Sequence, residues 1–152
     1  MQSHIAAVIL AAGGSRRFGQ AKQLLEWEGH PLINWAIDAA WSAGLDPIIV
    51  VTGANAEHVE NAIGDRPVHI LRNYQWEQGL SSSVRLGIAA LNGTTDAAVF
   101  MPIDQPLIDA AFLRKVCTAW QASDKSIAVP VNSNGQRSNP VLFARSWFAI
   151  ER

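Results

Sequence analysis

Short apolar, β-rich runs at residues 5–10, 47–52, 68–71, 97–101, 127–131 and 141–143 constrain the fold of this chain most, because helical patterns separate most of them. Residues 31–43, 54–63, 81–91 and 108–121 carry apolar positions at helical spacing, with Gly44 and Gly64 placed as stop signals. Strand and helix in alternation mean βαβ units. The strands are apolar throughout, without the alternation of a sheet wetted on one face, so both faces are expected to be covered. An α/β fold follows, a Rossmann-like, doubly wound and mostly parallel sheet. Such sheets bind ligands at the carboxyl ends of their strands, where the loops after Leu10, Leu71 and Met101 are expected to converge.

The first of these loops is rich in glycine and positive charge. Gly13, Gly14 and Gly19 allow backbone N–H groups to approach an anion, while Arg17 and Lys22 supply the charge that a polyphosphate needs neutralised. Two common phosphate loops are near misses. Gly14 and Gly19 have P-loop spacing, but Gln20 and Ala21 stand where that motif requires Lys and Ser or Thr. The dinucleotide fingerprint fails as well, since its glycine spacing is absent and no helical pattern resumes until Pro31.

Length and composition predict one domain over residues 1–152, with 49% hydrophobic and 16% charged residues giving a large core. Twelve basic against 13 acidic side chains argue against a nucleic-acid surface, which shows as a basic excess on one face. Cys117 is the sole cysteine, so an intrachain disulfide and a cysteine zinc cluster are both excluded. No signal-peptide pattern or membrane-length apolar run stands out, and the cytoplasm is the expected compartment, with no membrane partner.

Several conspicuous residues read as structure. Phe112, Leu113, Val116, Cys117 and Trp120 form one apolar stripe, which makes Cys117 a core thiol. His4, His30, His58 and His69 show no paired helical spacing for a metal. Trp35 and Trp41 fall on a helix apolar nearly all round and are expected in the core.

Two further segments carry chemistry. Ser81, Ser82 and Ser83 fall at the start of a helix, whose N–H groups and dipole favour acceptor atoms; one serine caps a helix, so hydroxyls remain for a base or ribose. Asp104 lies just past the end of a strand, in the expected crevice. A carboxylate there suits magnesium, which takes oxygen ligands from one or two carboxylates plus substrate phosphates.

Together these segments resemble the nucleotidyltransferases that assemble molybdenum cofactor dinucleotides, the MobA-like NTP transferase family. The family pattern Leu-Ala-Ala-Gly-x-Ser-x-Arg-x-Gly-x-x-Lys is matched over residues 10–22, and Gly-x-Pro-Leu over 29–32. Gln-Gly-x-x-Ser-Ser matches at 78–83, Asp-x-Pro at 104–106, and Asn-Pro-Val-Leu-Phe at 139–143. The matches are ordered and run along nearly the whole chain.

The resemblance implies a GT-A-like nucleotidyltransferase fold and transfer of a nucleoside monophosphate from CTP or GTP to molybdopterin, with release of pyrophosphate. Ala11-Ala12-Gly13 resembles the cytidylyl branch, and Ala21, where the guanylyl branch has Asp before the lysine, also favours CTP. By the same resemblance Leu10, Ala11, Ala12, Gly13, Gly14, Ser15, Gly19, Ser82 and Ser83 bind nucleotide, Arg17 and Lys22 clamp the triphosphate, and Asp104 holds Mg2+. Gln105, Asn139 and Pro140 fall to the acceptor, although Ser138 replaces the glycine usual before the Asn-Pro pair. Relatives continue past Arg152 through a helix and strand with a second acidic motif, so the chain is expected to lack the C-terminal part of the family's domain. A molybdoenzyme client or its chaperone is an implied partner. Three alternatives stand beside this reading: a GTP-using guanylyltransferase of the same pathway, a sugar- or polyol-phosphate cytidylyltransferase, which shares the glycine loop and the serine-helix element, and a noncatalytic nucleotide- or cofactor-binding module.

Overall fold

A computed structural model describes residues 2–14 and 21–151. The chain runs β1 (Ile5–Ala11), a hairpin of β2 (Glu26–Trp27) and β3 (His30–Pro31), α1 (Leu32–Ser42), β4 (Ile48–Thr52), α2 (Ala56–Ile63), β5 (His69–Arg72), α3 (Leu80–Ala89), β6 (Ala97–Pro102), α4 (Ala110–Gln121), β7 (Ile127–Ala128), β8 (Val141–Ala144) and α5 (Phe148–Glu151). The main sheet has the order β5-β4-β1-β6-β8-β7. From β5 to β6 the neighbours pair in parallel, and β8 and β7 close that side antiparallel.

The apolar run of β1 is central because both of its faces are used. Ile5, Ala7 and Ile9 face a core shared with Ile33 and Ile37 of α1, Val59 of α2 and Leu113 of α4. Ala6 and Val8 face a second core with Ile88 of α3 and Phe148 of α5. Helices on both sides are what the unbroken apolar strands required. Each fully buried isoleucine contributes roughly 1.5–3 kcal/mol relative to exposure. Gly87 lets α3 sit close on β1, for a Cβ there would stand 2.6 Å from Val8 Cγ1. Gly44 and Gly64 end α1 and α2 with φ of +80° and +63°, where a side chain would be strained. Asp109 caps α4, its carboxylate accepting from the Phe112 N–H at 2.9 Å.

Four expectations need correction. The strand over 127–131 is only Ile127–Ala128, because Pro130 has no N–H for a ladder, and Val131 forms an isolated bridge with Arg137 instead. Trp41 is 61% exposed, standing about 100° round the helix from the fully buried Ala40. Trp35 is half-buried, held by its indole N–H donating to Trp27 O at 2.8 Å and packed on the Trp27 ring. Phe112 is 37% exposed, in the first turn of α4, beside an open cleft. Leu113, Val116 and Cys117 alone of that stripe are buried, with Trp120 partly so. The β2–β3 hairpin left no mark in the periodicity of the sequence; Glu28 and Gly29 turn it with φ of +50° and +81°.

Candidate functional site

A cleft of about 610 Å³ opens at the carboxyl ends of β1 and β6, where successive connections turn from one direction along the sheet to the other. The end of β1 brings Leu10, Ala11, Ala12, Gly13 and Gly14 to it. The segment between β5 and α3 brings Trp76, the start of α3 brings Ser83, and the end of β6 brings Asp104. Asn139 reaches the cleft from the turn before β8.

Lys22 closes the gap between the first loop and β6. Its ammonium donates to Asp104 Oδ2 at 3.5 Å, with the two side chains 37% and 45% exposed. A cation and an anion so placed neutralise each other until a polyphosphate or a divalent cation competes for them. Among the described residues no group of three or more His, Cys, Asp or Glu stands together. A hard cation at Asp104 could take oxygens from substrate phosphate and water, as magnesium commonly does.

Ser15, Arg17 and Gly19 lie outside the described residues. Ser82 is buried and stands behind the lining: its hydroxyl donates to Gly79 O at 2.7 Å and it accepts from Asn73 Nδ2 at 2.9 Å. Ser83 also accepts from Asn73 Nδ2, at 2.9 Å, and does line the cleft. Pro140 is buried and lines neither this cleft nor its neighbour.

Three residues of the site carried no motif in the sequence. Gln23 is 1% exposed, and its Nε2 donates to Ala11 O at 2.7 Å and Gly13 O at 2.9 Å, fixing the loop that follows β1. Trp76 lies against Gly14 and Gly53, where a Cβ on either glycine would run into it. Asn73 was findable in one respect, since it directly follows the strand whose end was expected in the crevice. By contrast a Cβ on Gly13 would meet nothing within 4 Å, and its φ is not positive, so its missing side chain leaves room in the cleft.

A second cleft of about 540 Å³ adjoins the first through Asp104 and Asn139. Trp27, Leu107, Ile108 and Phe112 give it apolar and aromatic edges, and Gln105 and Ser138 add polar groups. This is where the exposed Phe112 finds its surroundings.

The chain is similar to known proteins in sequence and in fold. The molybdenum cofactor cytidylyltransferase of Escherichia coli is 28% identical over 99% of this chain and 76% of its own length. The bifunctional protein GlmU of Trichlorobacter lovleyi is 34% identical over 82% of this chain, but the match spans only 27% of that protein. Among solved structures, Rv0371c of Mycobacterium tuberculosis superposes with a TM-score of 0.87 at 29% identity, covering 98% of this chain and 75% of that one. The same mycobacterial protein has also been solved in complex with manganese, with a TM-score of 0.84. No helix among the described residues is long and apolar enough to cross a membrane. Residues 7–151 match the family model of the MobA-like NTP transferase domain, and the chain belongs to that family.

Proposed function

We propose that the chain transfers CMP from CTP to molybdopterin or its molybdenum form, releasing pyrophosphate. The observation that carries this reading is the Lys22–Asp104 pair at the mouth of a cleft that begins on the glycine loop after β1. The base and ribose lie along Ala11, Ala12, Gly13 and Ser83. Lys22, together with Arg17, takes the triphosphate. Asp104 holds Mg2+, a role supported by its position beside the glycine loop and by the manganese complex of the mycobacterial relative. The bound cation supplies charge neutralisation at the phosphates.

No catalytic base is required. The acceptor's terminal phosphate monoester is largely ionised at neutral pH, with a second pKa of about 6. Its oxygen attacks the α-phosphorus in line, a new P–O bond forms, and the α–β bridging bond breaks with pyrophosphate as leaving group. The protein's part is positioning and charge stabilisation. Ala21 before Lys22, and the 99% coverage by the cytidylyltransferase relative, favour CTP over GTP.

The second cleft suits the acceptor, with Gln105 and Asn139 as its polar contacts. Its aromatic edges at Trp27 and Phe112 favour a flat heterocycle over a sugar or polyol phosphate, whose recognition needs many polar partners. Phe112→Ala is expected to raise the KM for molybdopterin by about tenfold, with the KM for CTP unchanged. Steady-state kinetics with each substrate varied in turn checks this. A change in the CTP constant alone would remove the acceptor from that cleft.

A further inference from the structure

Asn73 is 5% exposed and uses every hydrogen-bonding atom of its side chain. Its Oδ1 accepts from the Gln75 N–H at 2.9 Å, and a backbone N–H can only donate, so the amide's orientation is fixed. Nδ2 therefore points its two N–H groups at Ser82 Oγ and Ser83 Oγ, each at 2.9 Å. Ser82 passes its own proton on to Gly79 O, which completes its bonding. Ser83 is different. It is 3% exposed and lines the cleft, its oxygen already accepts from Asn73, and its proton has no acceptor among the described residues. One of its oxygen's two lone pairs is taken, and its buried proton is left needing an acceptor, which costs more to leave unmet than the second lone pair.

We infer that Asn73 is a positioning residue that sets the polarity of Ser83, so that this hydroxyl donates to an acceptor oxygen on the nucleoside half of the ligand. The inference rests on the reading of the cleft as a nucleotide site. Asn73 does not touch the ligand; it acts by taking one of the oxygen's two lone pairs and holding the hydroxyl so that its proton is left for the cleft. Without Asn73 the Ser83 hydroxyl is free to turn back toward the preceding helical turn, as serines in helices do.

The test is a double-mutant cycle on CTP affinity, measured by titration calorimetry with magnesium on Asn73→Ala, Ser83→Ala and the double variant. Each single change is expected to weaken binding about tenfold, the worth of one net hydrogen bond. The double variant is expected to bind no more weakly than the weaker single, because both remove the same donor. Losses that multiply, giving about a hundredfold, would overturn the inference, since a purely scaffolding Asn73 leaves Ser83 to contribute separately. If Asn73→Ala does not fold, Asn73→Asp takes its place in the cycle, where its added charge acts equally in both backgrounds and cancels in the coupling. Failure of the unmodified protein to bind any nucleotide overturns the site reading and this inference together; binding with multiplicative losses overturns this inference alone.

Discussion

Among single residues, Lys22 and Asp104 matter most to the proposed reading: the fold brings them to 3.5 Å from 82 positions apart in the chain. The pair is too exposed to matter much for stability, for exposed ion pairs contribute about 0–1 kcal/mol. On the proposed reading its value lies in the charge it would present to substrate. Lys22→Ala and Asp104→Ala are each expected to lower kcat/KM at least about a hundredfold while circular dichroism and the melting temperature stay near those of the parent. Near-parental turnover in either purified variant would contradict the assignment. The crevice position of Lys22, Asp104 and Gly13 was legible in the sequence, because loops at the carboxyl ends of parallel strands converge there, and all three line the cleft. Gln23 and Trp76 were not, because their roles depend on backbone atoms and glycines far along the chain that only the folded loop brings near.

At the scale of elements, strands buried on both faces could be read directly, and those from β1 to β6 in the main sheet fall close to their expected positions. The β2–β3 hairpin was invisible for a physical reason. Two-residue strands offer no periodicity, and its turn uses Glu28, a residue without turn chemistry, at positive φ. In α4 helical periodicity identifies the buried face of Leu113, Val116 and Cys117 but not the exposure of Phe112, which stands in the first turn and lines a cleft. Burial pushes the Cys117 thiol up to about 11. Alkylation by iodoacetamide at pH 8 is therefore expected to run at least about a hundredfold slower than for a free thiol, and to reach the free rate in urea. Labelling of the folded protein at the free-thiol rate would show that α4 does not bury this face.

In the molecule as a whole, Glu60 and Arg72 tie α2 to the β5 edge of the sheet. Arg72 Nε and Nη2 donate to the two Glu60 oxygens at 2.7 and 3.0 Å, joining α2 to the strand that leads to Asn73. These Arg72 hydrogen bonds, opposed by burial and aided by its charge and by Thr52, hold the Glu60 carboxyl below the ordinary carboxylate range. A carboxyl whose folded value is depressed stabilises the fold fully above its unfolded value and loses that contribution as pH falls through the folded value. Glu60→Gln is accordingly expected to lower the urea midpoint near pH 7 and to approach the parent in acid, at about pH 3 and below. A difference that persists undiminished in acid would mean the effect is not ionic. The arrangement of the sheet also explains why the site sits where it does: connections run outward from β1 in both directions, and the loops at its carboxyl end and that of β6 are left to line the gap.

Nucleotidyl transfer to a pterin phosphate is read out by the release of pyrophosphate. Purified protein with magnesium, molybdopterin and either CTP or GTP is expected to release pyrophosphate with CTP, only when the acceptor is present, and not with GTP. Release with GTP alone, or release that does not depend on molybdopterin, would contradict the account.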